Sequence, residues 1–383
     1  MPGDDVVAAA MGPAPLLARS LFDGVIALAA LLAVLSCAIG LRRAWRLRSE
    51  RKSADLVSGV RPVLLEVVAD DVPSPKGLAL LGTVDQRTWR ALEPSVVSLL
   101  AQVRGDSRKA LADLLVQRGA EARACRRSRR PGSAGRAAAA DLLGAIGTPT
   151  SVAVLTVMLA DRDLEVRASV ARALGRIADP STTLPLLAGL AAHRRLPPAI
   201  VVHALLRIGS PAVHYLLGAL DHKKVGIRVV AAQTLGLIGD VQAVDRLAEA
   251  VGRDPSDDVR VSAAAALGRI GSGAAVSTLL AASDAGRPVA LRAASVIALG
   301  EIGDNRTVPH VRGLLYDRDW PVAHAAAASL SALGAGGYLA LLEAATDPAA
   351  SGAAHALEAL AVLDLRRARS EERGVAHRTT LAG

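Results

Sequence analysis

An apolar stripe that recurs every 30 to 32 residues is the strongest pattern along the chain. Its clearest copy is the stretch 259–271, VRVSAAAALGRIG, in which we number Arg260 as repeat position 0. Positions 3, 7 and 10 are then Ala263, Leu267 and Ile270, a spacing that puts three apolar side chains on one side of an α-helix. The copies end at residues 147, 178, 209, 239, 271, 303 and 334. Units of this length bury their apolar faces only against their neighbours, so the pattern predicts an all-α solenoid.

Each repeat is predicted to be a pair of helices. In one copy the first helix covers 152–159, a turn follows at residues 161–163, and the second helix covers 166–177. Repeat position 8 holds glycine in five copies, although glycine inside a helix costs about 1 kcal/mol relative to alanine. We therefore expect neighbouring helices to approach closely at this position. The five glycines are Gly144, Gly175, Gly236, Gly268 and Gly300.

The stretch 22–41 predicts one transmembrane helix, because it contains 18 consecutive uncharged residues from Gly24 onward. The excess of basic residues follows this stretch, which predicts that the short N-terminus lies outside and the repeats lie in the cytoplasm. A cleaved signal peptide, or a lipoprotein signal using Cys37, is the alternative, and the order of the charges disfavours it. The membrane-proximal basic residues, which could also contact anionic lipid, are Arg42, Arg43, Arg46, Arg48, Arg51 and Lys52.

These patterns divide the chain into six parts. We expect a short extracytoplasmic N-terminus (1–21), the transmembrane helix (22–41), a basic juxtamembrane segment (42–52), a helical N-terminal region (53–135), about seven repeats (136–364) and a polar tail (365–383). The stretch 118–136 carries seven arginines. Both an anion-binding patch and an ordinary solvated helix end explain it, and the sequence leaves the choice open.

Composition narrows the classes of partner. The formal net charge of +9 favours anionic partners, whether lipid headgroups, acidic proteins or nucleic acid. Aromatic residues make up only 2% of the chain and no nucleic-acid-binding motif is present, so nucleic acid is disfavoured. Cys37 and Cys125 are too few and too far apart for a disulfide framework or a metal-binding motif.

The order Asp, then Val-Arg, then Ala-Leu-Gly-x-Ile-Gly-Asp resembles HEAT repeats, specifically the bacterial PBS-lyase HEAT-like type, over residues 136–364. The resemblance implies a right-handed α-solenoid. It also implies a structural ladder between a turn Asp and the Arg six residues later. Asp161 with Arg167 and Asp254 with Arg260 have this spacing, whereas Pro198 occupies the Arg position of the third unit. The expected ladder residues are Asp161, Arg167, Arg228, Asp254, Arg260 and Arg292.

Two enzyme classes share the repeat. Deoxyhypusine hydroxylase is a HEAT protein whose di-iron site uses His-Glu pairs, and phycobilin lyases handle a tetrapyrrole. This sequence contains no His-Glu dipeptide, and its histidines are scattered. We therefore expect no catalytic residues, no metal and no cofactor.

Repeat positions 5 and 9 of the second helix lie opposite the apolar stripe and should face solvent. From the second to the fifth unit these positions are mostly polar and basic. Ordinary solvated polarity explains this equally well, but our hypothesis is an anionic docking strip. It consists of Arg172, Arg176, His203, Arg207, Gln233 and Arg269.

The function that best fits these features is a membrane-anchored cytoplasmic scaffold. It would bind a partner protein, such as a membrane or membrane-associated enzyme, and organise or regulate a complex at the inner membrane. The alternative is a HEAT-fold enzyme of the lyase or oxidoreductase type. A third, weaker hypothesis is an adaptor for anionic lipid or nucleic acid.

Overall fold

The computed structural model describes residues 58–69, 74–100, 102–346 and 351–365, together with positions 34, 36, 37, 40 and 369. Its described residues form helices and turns and no strands. The predicted transmembrane stretch 22–41, the basic segment 42–52 and most of the tail 365–383 lie outside the described residues. Within the described part, no single helix has the length and apolar character needed to span a membrane. The chain divides into two compact units, Met1–Arg118 and Gly119–Gly383.

The first unit contains four described helices. Trp89, Leu92 and Val96 lie on one face of the third of these helices and are fully buried. The guanidinium of Arg118 lies over the Trp89 ring, 4.6 Å from its centroid, and also donates to the backbone oxygen of Gly82. The helices are α1 (Arg61–Ala69), α2 (Pro75–Thr83), α3 (Gln86–Leu100) and α4 (Gly105–Gln117).

The second unit is a succession of helical hairpins, as the repeat pattern predicts. Each hairpin has a first and a second helix. The first helices are α5 (Ala120–Ser128), α7 (Pro149–Met158), α9 (Thr183–Ala191), α11 (Val213–Ala219), α13 (Val244–Arg253), α15 (Val276–Ala282), α17 (Val308–Gly313) and α19 (Gly334–Ala345). The second helices are α6 (Ser133–Ile146), α8 (Leu164–Ile177), α10 (Pro198–Ile208), α12 (Val225–Ile238), α14 (Asp257–Ile270), α16 (Val289–Ile302), α18 (Trp320–Ala332) and a final helical segment, 353–365.

The first hairpin begins earlier than the predicted repeat boundary at residue 136. α5 packs against α6, so residues 120–128 supply the first helix of the first repeat. The stripe pattern misses this helix because its buried residues are the small Ala120, Ala124 and Ser128, with no large apolar side chain among them. The second unit therefore begins at Gly119.

The second helices stack side by side, and a leucine at repeat position 7 forms the centre of the core. Every one of these leucines is completely buried, which is what the predicted stripe requires. They are Leu143, Leu174, Leu205, Leu235, Leu267, Leu299 and Leu330.

The glycines at repeat position 8 allow the close packing that the sequence predicts. A Cβ added to Gly236 would lie 2.5 Å from Cα of Ala266 in the next second helix, and one added to Gly175 would lie 2.9 Å from Cα of Ala204. The third repeat has Leu206 at this position, and α10 packs less extensively on α12 than the other second helices pack on their neighbours. The stack is therefore looser after the third repeat.

Candidate functional site

The hypothetical docking strip lies on the face of the second helices that is opposite the leucine core. Arg172, Arg176, His203, Arg207 and Arg269 are all exposed. Gln233 is half-buried. Because α8, α10, α12 and α14 stack in chain order, these six side chains form one row across four repeats. We use the name strip for these six residues and for the other side chains at repeat positions 5 and 9.

The basic side chains of the strip differ in how far they already have partners within the chain. Arg172 donates to Ser169 Oγ at 2.9 Å in its own helix. Arg176 forms an ion pair with Asp141 of the preceding repeat at 3.1 Å, and both side chains stay substantially exposed. Within the described part of the chain, His203, Arg207 and Arg269 have no hydrogen-bond or ion-pair partner. These three side chains are thus available to an external acceptor.

Large aliphatic side chains interrupt the cations of the strip. Leu237 at position 9 of the fourth repeat is 48% exposed, and Ile297 at position 5 of the sixth is 46% exposed. Leu206, beside Arg207, is 37% exposed. Glu301 is an exposed acid at position 9 of the sixth repeat, so the basic character of the strip ends there. The surface therefore combines unpaired cations with solvent-exposed aliphatic carbon.

The structural ladder differs from the predicted one, because its ion pairs join neighbouring repeats. Arg228 donates to both carboxylate oxygens of Asp254, in the turn of the following repeat, at 2.8 and 2.9 Å. Its Nη1 reaches back to the backbone oxygen of His222, six residues earlier. Arg228 therefore does contact the residue six positions earlier, but through the main-chain carbonyl of that residue. Where an acid occupies this turn position, as Asp254 does, its carboxylate pairs with the arginine of the preceding repeat.

Two further inter-repeat pairs follow the same geometry. The sequence pattern names Asp161 and Arg292 as ladder residues but does not give their partners. Arg136, which the sequence places in the basic stretch 118–136, donates to Asp161 at 2.7 and 2.9 Å and is buried. Arg292 pairs with Asp317 and, at 2.9 Å, with Asp319.

The predicted pairs Asp161–Arg167 and Asp254–Arg260 are not formed, because the carboxylates of Asp161 and Asp254 accept from Arg136 and Arg228 of the preceding repeats. Arg167 donates instead to the backbone oxygens of Asp161 and Arg195. Arg260 donates to the backbone oxygen of Val251 and to its own-helix neighbour Asp257.

The ladder pairs perturb the ionisation of their members. The Arg136 guanidinium holds the pKa of Asp161 below its ordinary value by hydrogen bonding to the carboxylate. The same interaction raises the pKa of Arg136, and Asp254 likewise raises that of Arg228. Both are buried ion pairs that join neighbouring repeats.

A groove lined by arginines lies between α5 and α6. It has a volume of about 550 Å³ and is bordered by Arg123, Arg126, Arg127 and Arg130. Most of these side chains are exposed. The groove concentrates basic side chains on an exposed surface. This arrangement agrees both with an anion-binding patch and with an ordinary solvated helix end in the stretch 118–136.

The structure brings together one potential metal-ligand set that the sequence pattern did not suggest. The ligand atoms of His324, His355 and Glu358 all lie within 4.8 Å of one another. His324 and His355 are separated by 31 residues, the length of one repeat, so stacking of the last two second helices places them side by side. Neither histidine is adjacent to an acid in the sequence, so a search for His-Glu pairs does not find them. Comparison of equivalent positions in successive repeats would have done so.

One serine–histidine contact resembles part of a catalytic pair but has a structural role. Ser283 Oγ lies 2.8 Å from His310 Nε2 and also donates to the backbone oxygen of Leu280 at 2.7 Å. Because a hydroxyl has one proton and this proton serves Leu280, the histidine must donate to the serine. His310 therefore cannot act as the base that activates Ser283 in this arrangement.

A family model described as HEAT repeats matches the chain at residues 126–199, 198–268, 213–289, 251–331 and 276–361. No curated protein matches the chain significantly. Three solved structures show the range of similar proteins. Human deoxyhypusine hydroxylase is 19% identical with a TM-score of 0.30, over 74% of this chain and 98% of that one.

The second structure is E. coli YibA, which is 17% identical with a TM-score of 0.35, over 67% of this chain and 95% of that one. The third is the CpcE–CpcF phycocyanin lyase complex of Nostoc, which is 20% identical with a TM-score of 0.25, over 54% of this chain and 86% of that one. These likenesses carry no information on activity.

Proposed function

Because the chain belongs to the HEAT-repeat family, we propose that it is a scaffold that binds an acidic partner protein along the strip. The observation that carries this proposal is the set of exposed side chains on the second helices that have no partner among the described residues, namely the guanidinium groups of Arg207 and Arg269 and the imidazole of His203. In the free chain these groups are exposed to water and have no internal partner. Carboxylates of a partner can therefore gain charge-assisted hydrogen bonds here without breaking existing ones.

The aliphatic members of the strip favour a protein over a nucleic acid or a lipid headgroup. Leu237 lies in the repeat between those of Arg207 and Arg269, so an occupant of the strip must cover aliphatic carbon as well as guanidinium groups. Protein interfaces commonly combine arginine with apolar side chains. The six residues that define the strip include no Phe, Tyr or Trp on which bases could stack.

We further propose that residues 22–41 anchor this scaffold in the inner membrane, with the repeats on the cytoplasmic side. The uncharged stretch and the basic run directly after it support this proposal. The partner would then be a membrane protein or membrane-associated enzyme, and the scaffold would organise or regulate its complex.

The anchor predicts how the protein leaves the membrane. We expect the full-length chain to remain in the pellet after high-salt and alkaline carbonate washes and to be released by detergent. A membrane-inserted stretch of about 18 uncharged residues resists these washes, whereas contacts between basic residues and anionic lipid are lost in high salt. A variant that lacks residues 1–52 should appear in the supernatant. Release of the full-length chain by salt alone would show that only its basic residues hold it at the surface.

Charge reversal tests the strip. We expect the triple variant Arg176→Glu, Arg207→Glu and Arg269→Glu to bind the partner about 100-fold more weakly, since each lost exposed ion pair is worth up to about 1 kcal/mol. The partner is first identified by cross-linking in intact membranes and mass spectrometry. Its affinity for the detergent-solubilised chain is then measured by titration.

A matched triple variant separates the strip from net charge. Arg194, Arg253 and Arg318 are exposed and lie away from the second-helix face, at turns or at the end of a first helix. Changing these three to glutamate alters the net charge equally and should leave the affinity within about 3-fold of the wild type. Equal losses in both triples, or no loss in the strip triple, would reject the strip as the docking site.

A further inference from the structure

A compact cluster of imidazole, carboxylate and indole side chains lies where the last two second helices meet. His324 lies on α18, one helical turn after Trp320. His355 and Glu358 are three residues apart in the segment 353–365, a spacing that puts them on one face of a helix. The three potential ligand atoms therefore come from two helices, and His324 and His355 are about 30 residues apart in the sequence, one repeat length. None of these side chains belongs to the strip or to the ladder.

The distances within the cluster are close to those of a metal site. His324 Nδ1 lies 3.7 Å from Glu358 Oε2, and all three ligand atoms lie within 4.8 Å of one another. A tetrahedral ion with bonds of about 2.0–2.1 Å holds its ligand atoms about 3.4 Å apart. Shifts of about 1 Å would complete the coordination. Such shifts need only small side-chain rotations, because the His324 and Glu358 side chains are 44% and 60% exposed.

The environment of His324 leaves one ring nitrogen without a hydrogen bond. Its Nδ1 is shielded from solvent and has no hydrogen-bond partner among the described residues, since the Glu358 oxygen is too distant. Trp320 stacks on the imidazole at a centroid distance of 4.8 Å and an interplanar angle of 11°. The indole also contacts His355 edge-on at 5.9 Å. The indole of Trp320, itself 62% exposed, thus contacts both imidazoles of the cluster.

We propose that His324, His355 and Glu358 bind one divalent first-row transition-metal ion, with Zn²⁺ as the reference ion. Two imidazoles and one carboxylate suit Zn²⁺ and its neighbours in the series, whereas Mg²⁺ and Ca²⁺ prefer oxygen ligands alone. Three protein ligands leave a fourth coordination position open to water or to a group from a partner.

The ion would fasten the last described helical segment to the stack. Within the described part of the chain, Leu357, Val362 and Leu365 of this segment are 52%, 43% and 61% exposed, so packing covers them only in part. Ligands on both α18 and the segment 353–365 would tie this segment to the preceding second helix.

Calorimetric titration of the metal-free full-length chain in detergent with Zn²⁺ tests the site. We expect one Zn²⁺ per chain, and binding at least 10-fold weaker in Glu358→Gln and absent in the double variant His324→Ala, His355→Ala. The control double variant His193→Ala, His214→Ala removes two exposed histidines elsewhere and should bind Zn²⁺ like the wild type. Circular dichroism confirms that each variant is folded.

Hydrogen–deuterium exchange provides the second measurement. Added Zn²⁺ should slow exchange in residues 353–365 of the wild type and of the control variant, and should leave exchange unchanged in the His324→Ala, His355→Ala variant. The site is rejected if the wild type binds no stoichiometric Zn²⁺, or if the two double variants bind it equally. Binding without protection of residues 353–365 would overturn the fastening role.

Discussion

Replacement of Arg228 by alanine is expected to lower the free energy of unfolding of the repeat unit by about 3–5 kcal/mol. Arg228 and Asp254 form a two-point ion pair in which the side chains are only 9% and 7% exposed. Without the guanidinium, the carboxylate would remain buried without a counter-charge, and the backbone oxygen of His222 would lose its donor. Urea unfolding of the full-length chain, followed by circular dichroism, measures the loss.

Arg260 is the matched control, because it occupies the same repeat position two helices away without a buried acid. Its ion-pair partner Asp257 is 57% exposed, so its removal strands no buried charge. We expect Arg260→Ala to cost about 1 kcal/mol. Replacing both Arg228 and Asp254 by alanine should cost less than replacing Arg228 alone. Equal losses in Arg228→Ala and Arg260→Ala would mean that the inter-repeat pair contributes nothing of its own.

Replacement of Gly236 by alanine is expected to destabilise the same unit by about 1–3 kcal/mol, although alanine is the better helix former. The new Cβ would lie 2.5 Å from the Cα and 2.7 Å from the Cβ of Ala266. Backbone cannot rotate away as a long side chain can, so α12 and α14 must separate and the leucine core between them must loosen. The midpoint of urea unfolding reports this change.

Gly252 supplies the opposite result from the same substitution. It lies inside α13, and an added Cβ would meet nothing within 4 Å. Gly252→Ala should therefore stabilise the unit by up to about 1 kcal/mol through helix propensity and the lower entropy of the unfolded chain. If Gly236→Ala were also stabilising, the close contact between the second helices would not be a constraint on this fold.

The fold could be predicted from the sequence because its determinants are local and repeated. Leucine at position 7 and glycine at position 8, as in Leu267 and Gly268, recur at a fixed period. Each such leucine is buried in the core, and each such glycine lies against the next second helix. The all-α HEAT architecture is confirmed on this basis. The right-handed sense of the solenoid stays a prediction, as does the membrane anchor.

The ladder could not be predicted correctly from spacing within one repeat. An arginine at the start of a second helix extends towards the turn of the next repeat, so its acid lies 25 or 26 residues later. The six-residue spacing led to Asp161 and Arg167, whose contact uses the backbone oxygen of Asp161 and is independent of its side chain. The stacking of neighbouring repeats determines which carboxylate each arginine pairs with, and the spacing within one repeat does not show that stacking.

The histidine cluster was missed for a related reason. A search for adjacent His and Glu finds ligands that share one helix, whereas His324 and His355 share a repeat position on successive helices. Comparing equal positions across repeats would have paired them. The strip could be predicted because its residues occupy equivalent positions in successive repeats. The exposure of Leu206 beside it could not, because it depends on the looser packing of the third repeat.

Site-specific photo-cross-linking in intact membranes is the most direct test of the scaffold proposal. A photoreactive amino acid is placed at Arg207 or Leu237 on the strip, and at Arg253 or Arg318 as exposed controls. The proposal predicts that both strip positions cross-link to the same acidic partner protein and that the control positions do not. Cross-links to that partner from the control positions, with none from Arg207 or Leu237, would contradict it.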